Sequence, residues 1–330
     1  MARQDILQLL TTLPGEYVSG EKISQQLNVT RASVWKQIKQ LQEEGFEIEA
    51  QTKKGYCLRK TPDSLNAWVI EQMLGTVSFG RSLIIEDELP STNAKAKELA
   101  REGGIHGQVI IARTQCSGRG RMQREWQSPK GGLWMSIIIR PNLSLANASK
   151  LTLAASVAVV DALKELYRLP VGIKWPNDLI YNGHKIAGIL GEVVGEWNRV
   201  QTLILGIGIN ANFPRENLGS SIAAATLQEI LGHEVDLNKL TAAILLHLEK
   251  QVSALEADMF EELCINWTAR AVGIGEEVKV IRGEEVFRGI FRGISQEGEL
   301  LLETDHGEVR FSAGEVRLRS KLGTYFGEPL

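Results

Sequence analysis

The stretch Leu179-Ile180-Tyr181-Asn182-Gly183-His184-Lys185-Ile186-Ala187-Gly188-Ile189-Leu190-Gly191-Glu192-Val193-Val194 decides the fold class. Asn-Gly is the preferred pair for a type I′ turn, in which both central residues take positive φ. The apolar runs on either side therefore pair as antiparallel strands. A doubly wound sheet joins parallel strands through helices and has no room for such a hairpin at its centre. Working outward, Ser82–Glu86, Gln108–Ala112, Gly132–Arg140 and Leu203–Asn210 read as further strands. Leu151–Leu166 reads as a buried helix and Leu240–Leu255 as a long amphipathic one. The centre is expected to be an α/β domain, in the α+β sense, with a mixed sheet.

The flanks carry different patterns. Ile6, Leu7, Leu9 and Leu10 form a helical stripe that Pro14-Gly15 ends. Ser19 caps a short helix, and Thr30 caps a longer one with Val34, Ile38 and Leu41 on one face and Gly45 past its end. A hairpin follows: Phe46 and Ile48, Lys53-Lys54-Gly55 at the tip, then Tyr56 and Leu58. This is the element order of a winged helix-turn-helix. Thr30, Arg31, Ser33, Lys36 and Gln37 would face a major groove, and Lys53 and Lys54 a phosphate backbone. The bland alternative is a solvated helix face, because residues 1–60 hold nine Lys/Arg against seven Asp/Glu. Thr61-Pro62-Asp63-Ser64 reads as a linker. At the other end, Ile274–Arg319 shows short period-two strands separated by turns, as in a small SH3-like barrel. The expected domains are 1–62, 63–270 and 271–330.

Composition narrows the class. The 330 residues are 43% hydrophobic and 23% charged with a net charge of −3, so nucleic-acid contact must come from a local patch. The three cysteines are dispersed, the start lacks the apolar core of a signal peptide, and no apolar run is long enough to span a membrane. A cytoplasmic protein is expected. There is no P-loop, HExxH or GxSxG motif, and Gly206-Ile207-Gly208 lacks the third glycine of a dinucleotide fingerprint.

Gly118-Arg119-Gly120-Arg121, with Arg124 and Trp126 beyond, suits a lid over an anionic ligand. Glycine permits close backbone approach, and arginine forks fit carboxylate and phosphate oxygens. Lys174-Trp175-Pro176-Asn177-Asp178 and Lys185 add charge. Such a set fits adenylate chemistry, in which a carboxylic acid attacks the α-phosphate of ATP and a loop shields the mixed anhydride from water. Asp178 is read as a candidate Mg²⁺ ligand or orienter of an incoming amine. The competing readings are an exposed basic loop and, for Asp178, a turn residue. Trp134 reads as core, and Cys116 as a small filler beside the site.

Ser91-Thr92-Asn93, Gln115, the Gly-Arg-Gly-Arg loop, Trp126, Lys174–Asp178, Lys185–Leu190 and Gly206-Ile-Gly-Ile-Asn210, in this order, resemble the bifunctional biotin–protein ligase and biotin operon repressor family. The resemblance spans the whole chain. It implies formation of biotinyl-5′-adenylate from biotin and MgATP. Biotin would then pass to a lysine of a biotin carboxyl carrier protein. It also implies operator DNA as a partner, with a homodimer when the adenylate, acting as corepressor, is bound. The family's biotin contacts fall on Ser91, Thr92, Asn93, Gln115, Arg119, Gly120, Arg121, Lys185, Gly188 and Gly206. Its ATP or adenylate contacts fall on Arg121, Arg124, Trp126, Lys174, Asn177, Lys185 and Asn210, and catalysis on Lys185, Arg121, Lys174 and Asp178. This chain departs from the family pattern at Arg113, at Met122-Gln123-Arg124 and at Ala224-Ala225-Thr226-Leu227. A lipoate–protein ligase of similar fold and a non-catalytic biotin sensor remain as alternatives.

Overall fold

The structure is a computed structural model and describes residues 2–12, 15–141, 148–194, 202–219, 223–312 and 316–320. The chain divides into two compact units, Met1–Met73 with Asp236–Asn238, and the remainder.

In the first unit the helices are α1 (Ala2–Thr12), α2 (Gly20–Leu27), α3 (Arg31–Glu43) and α4 (Ala67–Met73), and the hairpin is β1 (Glu47–Gln51) with β2 (Gly55–Lys60). The expected caps form. The Ser19 hydroxyl accepts from Lys22 N and that of Thr30 from Ser33 N, while Gly45 takes φ 93°. Each cap satisfies a helix-end N–H that would otherwise lack a partner. Ile6, Leu10, Ile23, Val34, Ile38, Leu41 and Phe46 close the core, and Trp68 of α4 meets Phe46 edge-to-face at 5.9 Å. Of the expected helix stop, Gly15 has φ 80°, and Pro14 lies outside the described residues.

The second unit holds a seven-stranded sheet. Its strands are β3 (Leu83–Leu89), β4 (Val109–Gln115), β5 (Leu133–Ile139), β6 (Gly172–Lys174), β7 (Asp178–Tyr181), β8 (His184–Val194) and β9 (Thr202–Ile209), in the order β3-β4-β5-β9-β8-β7-β6. Among the described strand pairs of this sheet β3–β4 is parallel and the others are antiparallel, β7–β8 as the Asn182-Gly183 turn demands. Asn182 and Gly183 take φ 44° and 79°, the positive values of a type I′ turn.

Helices α5 (Thr92–Arg101), α6 (Ala148–Tyr167), α7 (Leu227–Leu231), α8 (Leu237–Glu256) and α9 (Phe260–Thr268) complete the layer. Helix α5 packs on β4, β5 and β9, and α6 on β6, β7 and β8. The last strands, β10 (Glu277–Arg282), β11 (Glu285–Ile294), β12 (Leu300–Thr304), β13 (Gly307–Phe311) and β14 (Val316–Ser320), form an antiparallel sheet ordered β13-β12-β11-β10-β14. Val278, Val280, Phe291, Ile294, Leu300, Leu302, Phe311 and Leu318 are buried on it.

The register of the large sheet makes a floor. Residues directly opposite each other in an antiparallel pair share a face. Ile138 lies opposite Ile204, Ser136 opposite Gly206, and Trp134 opposite Gly208, which in turn lies opposite Gly188. Ile110, Ile138 and Ile204 are covered by Ala96 and Ala100 of α5. Beyond the start of α5 the same face continues as Ser136, Gly206, Gly208 and Gly188. These four small residues lie between Trp134 and Leu190 on that face, and the space above them opens.

Candidate active site

A cavity of about 360 Å³ lies over this floor. One end is polar. Ser91-Thr92-Asn93 is the N-cap and first turn of α5, with the Ser91 hydroxyl capping Ala94 N. Gln115 ends β4. Its Oε1 accepts from Thr92 N at 2.7 Å and its Nε2 donates to Ser128 Oγ at 2.7 Å. The Asn93 amide stands on the Gly206 backbone, since a Cβ there would come 2.3 Å from Asn93 Oδ1.

The other end is cationic. Lys185 Nζ lies 2.5 Å from Asp178 Oδ1, and Lys174 Nζ 3.5 Å from Asp178 Oδ2. The Lys174 and Asp178 side chains are only 5% and 15% exposed. Burial pushes Lys174 down to about 8; the Asp178 charge opposes that fall, and Arg319 and Lys185 add to it. Arg121 is likewise held below its ordinary value by burial, against the pull of Asp178. Its Nη1 donates to Asn177 Oδ1 at 3.3 Å, and Asn177 Nδ2 donates to Ile189 O at 2.8 Å. Several cations thus crowd one carboxylate in a half-closed space, the arrangement expected where an anion has still to bind.

A bulge makes this convergence possible. The β7–β8 register shifts between Leu179, opposite Ala187, and Ile180, opposite Lys185. Ile186 is the extra residue, so Lys185 and Gly188 face the same way although their separation is odd. Lys185 is held by its backbone as well: its N donates to Ala223 O and its carbonyl accepts from Ala225 N.

The Gly118–Trp126 segment closes on itself as a lid. Trp126 N donates to Gly118 O and Gly120 N to Arg124 O, at 2.9 and 2.8 Å. Arg119 Nη1 donates to Gln123 Oε1 at 3.1 Å. Trp126 lies over the Gly188–Gly208 pair. A Cβ on Gly208 would sit 2.7 Å from its Nε1, and Lys185 Nζ is 4.8 Å from the ring centre. That indole N–H is buried with no hydrogen-bond partner.

The Biotin/lipoate A/B protein ligase family matches residues 87–210, an HTH domain residues 2–57, and the biotin protein ligase C terminal domain residues 273–319. The bifunctional ligase/repressor BirA of Bacillus subtilis is 38% identical over 319 residues, covering 96% of this chain and 98% of that protein. The bifunctional ligase/repressor BirA of Escherichia coli is 34% identical, over 93% and 94%. Among solved structures, the biotin protein ligase from Aquifex aeolicus in complex with biotin and ATP superposes with TM-score 0.64 at 31% identity, covering 73% of this chain and all of that one.

The chain belongs to the biotin–protein ligase family.

As a member of that family it carries all three parts read from the sequence: the N-terminal helix-turn-helix, the mixed-sheet centre and the C-terminal β-domain. Of the residues named for the ligase site, all line the cavity except Asn210. Asn210 is 2% exposed and works as a clamp, its Nδ2 donating to Lys185 O and Ala225 O at 3.3 Å each. Asp178 does not fit a resident metal, because both its oxygens face lysine ammoniums and the described residues hold no cluster of three or more His, Cys, Asp or Glu. Cys116, read as a small filler beside the site, is exposed.

The departures from the family pattern also find places. Arg113 Nε pairs with Asp87 at 3.2 Å, Met122 and Gln123 take φ 56° and 59° at the lid tip, and Ala224-Ala225 flanks the Lys185 backbone. Leu318 and Arg319 of β14 also line the cavity. Sequence reasoning missed them, because nothing in a strand of the last domain marks which cavity it will reach. Ser136 was missed too, although a lone serine in an otherwise apolar strand is a legible signal.

In the first unit the named helix residues Arg31 and Lys36 are exposed on α3, as are Lys53 and Lys54 at the hairpin tip. Thr30 is committed to its cap. Among the described residues no helix is long and apolar enough to cross a membrane.

Proposed function

We propose that this chain is an ATP-dependent biotin–protein ligase that also represses transcription. The observation that carries the ligase reading is the two-ended cavity. Hydrogen-bonding groups of Thr92, Asn93 and Gln115 suit the urea end of biotin, while Arg121, Lys174 and Lys185 suit its carboxylate and the phosphates of ATP. A second hollow of about 350 Å³ adjoins through Arg121, Met122 and Trp175–Asn177, which gives room for a nucleotide beside biotin.

The residues divide the reaction between them. Arg121 and Lys185 hold the biotin carboxylate against the α-phosphate, which converts a bimolecular attack into a positioned one. Lys174 and Lys185 take the charge that builds on the phosphate as pyrophosphate leaves. Arg119, Arg124 and Trp126 close the lid and keep water from the mixed anhydride. Asp178 then faces the incoming lysine amine of the acceptor, a biotin carboxyl carrier protein, and accepts its proton as AMP departs. Mg²⁺ enters with ATP as the counter-ion of its phosphates rather than as a resident ion.

Residues 1–62 contact operator DNA through Arg31, Ser33, Lys36 and Gln37, with Lys53 and Lys54 on phosphate. Residues 63–270 carry ligation, and 271–330 supply Arg319 to the phosphate end. The adenylate-loaded protein acts as a homodimer in the cytoplasm, with the adenylate as corepressor.

Pyrophosphate release with biotin and MgATP, followed by mass analysis of an added acceptor domain, tests the reading. Release together with one biotin mass on one lysine is expected. Tight biotin binding with no release would leave a sensor, and release with lipoate instead of biotin would reassign the substrate.

A further inference from the structure

A chain of side chains runs from the surface to the polar end of the cavity. Lys97 Nζ lies 2.6 Å from Glu192 Oε1, and Asn93 Nδ2 donates to Glu192 Oε2 at 2.7 Å. Ser136 Oγ is 2.5 Å from Asn93 Oδ1 and 2.7 Å from Thr92 Oγ1. Thr92 Oγ1 is 3.1 Å from Gln115 Oε1. Ser136 is fully buried, while Thr92, Asn93 and Gln115 line the cavity.

The direction of the hydrogens along this chain is constrained. A carboxylate accepts only, so Glu192 must face the NH₂ of Asn93, and Asn93 Oδ1 must face Ser136. Ser136 then donates its only hydrogen to Asn93. Thr92 N donates to Gln115 Oε1 at 2.7 Å, which fixes that amide as well. Three oxygen–oxygen contacts remain between Asn93 and Gln115, and two hydroxyl hydrogens serve them. The two shortest contacts take the hydrogens, from Ser136 to Asn93 and from Thr92 to Ser136. The longest, between Thr92 Oγ1 and Gln115 Oε1, is left without one. Two acceptors therefore lie side by side at the cavity wall, and they need an N–H from the ligand.

With Asn93 reversed, its NH₂ would donate to Ser136, Ser136 to Thr92, and Thr92 to Gln115. Every contact from Asn93 to Gln115 would be closed and nothing would be offered to a ligand, but Asn93 Oδ1 would then face the Glu192 carboxylate with no hydrogen between them. We infer that Glu192, which lies behind Asn93 and does not line the cavity, is the specificity-determining positioning residue of the site. Its carboxylate holds Asn93 in the orientation that makes Thr92 and Gln115 an acceptor pair for a ring N–H, and so selects a cyclic urea over rings that lack one. This rests on the ligase reading above and adds to it the origin of the preference for biotin.

The test measures binding of two ligands to the full chain by calorimetry. One is biotin; the other is the thiolane pentanoic acid that keeps biotin's sulfur ring and side chain but lacks its urea. Glu192→Gln is nearly isosteric and can present its own NH₂ or its oxygen to Asn93, which frees the relay to reverse. It should weaken biotin about tenfold and leave the thiolane acid within about twofold, as expected for one hydrogen bond lost to a neutral partner. The KM for biotin should rise with kcat held at saturating biotin. Ser136→Ala, which cuts the relay, should lower the same ratio. Lys97→Gln keeps the carboxylate and should leave it unchanged. A Glu192→Gln protein with the wild-type ratio of affinities would overturn the inference alone. A wild-type protein that does not bind biotin would overturn the ligase reading and this inference together.

Discussion

Replacing Lys174 with methionine is expected to make the protein more stable and less active at once. The ammonium sits almost fully buried, 3.5 Å from a carboxylate whose nearer partner is Lys185 at 2.5 Å. Its pKa falls from 10.5 to about 8, with burial the largest cause. A drop of about 2.5 units corresponds to about 3 kcal/mol of penalty on the charged form, already net of the Asp178 attraction. The sign follows from the depressed folded value. Above about 10.5 both folded and unfolded states hold the neutral amine and no penalty exists. It grows as pH falls from 10.5 to 8 and is complete at neutral pH. Methionine has a similar length, leaves Asp178 paired with Lys185, and removes the penalty. Denaturant unfolding of wild type and Lys174→Met at pH 7 should show the variant more stable by about 3 kcal/mol, with the advantage fading by pH 10.5. Adenylation, read as pyrophosphate release, should fall about 100-fold, since one transition-state cation is gone. A variant that is less stable at pH 7, or whose gain is the same at both pH values, would refute the argument that burial of this charge dominates its energetics.

Arg121→Ala and Lys185→Ala should each reduce pyrophosphate release by about 100-fold or more while far-UV dichroism stays native; full adenylation by either variant would remove it from the catalytic set. Gly208→Ala places a methyl 2.7 Å from Trp126 Nε1. The indole should be displaced and the lid loosened, seen as a shifted tryptophan emission and about a tenfold loss of ligation with the fold intact. Lys53→Ala and Lys54→Ala, both exposed at the hairpin tip, should each weaken operator binding and lower the salt slope by about 1 without changing pyrophosphate release.

The lid shows how local and global information combine. Gly118-Arg119-Gly120-Arg121 announced an anion-closing loop by composition. Where it closes depends on Gly188 and Gly208, which leave a flat place for Trp126 on two strands far away in sequence. The Ser91-Thr92-Asn93 segment was legible as a ligand element, yet it is the N-cap and first turn of a helix and not a free turn. The periodicity of Ala96, Leu99 and Ala100 after a serine carried that signal. The family resemblance placed Asn210 with the adenylate, but its side chain turns back to hold Lys185 and Ala225.

Sequence alone determined the order of the parts. Capping residues, a type I′ Asn-Gly turn and period-two runs are local, and each depends on neighbours within a few residues. It also determined which residues carry charge toward one site, because Arg121, Lys174, Asp178 and Lys185 have little use together except around an anion. The tertiary structure decided which of them meet and on which face. Simple alternation would put Lys185 and Gly188 on opposite sides of the sheet; one extra residue, Ile186, turns them to the same side. It also decided that Arg319 comes to the cationic end, that Ser136 joins Asn93 to Thr92, and that Glu192 meets the Asn93 amide. These contacts link residues scores of positions apart, and only the packing of strands and helices brings them within reach.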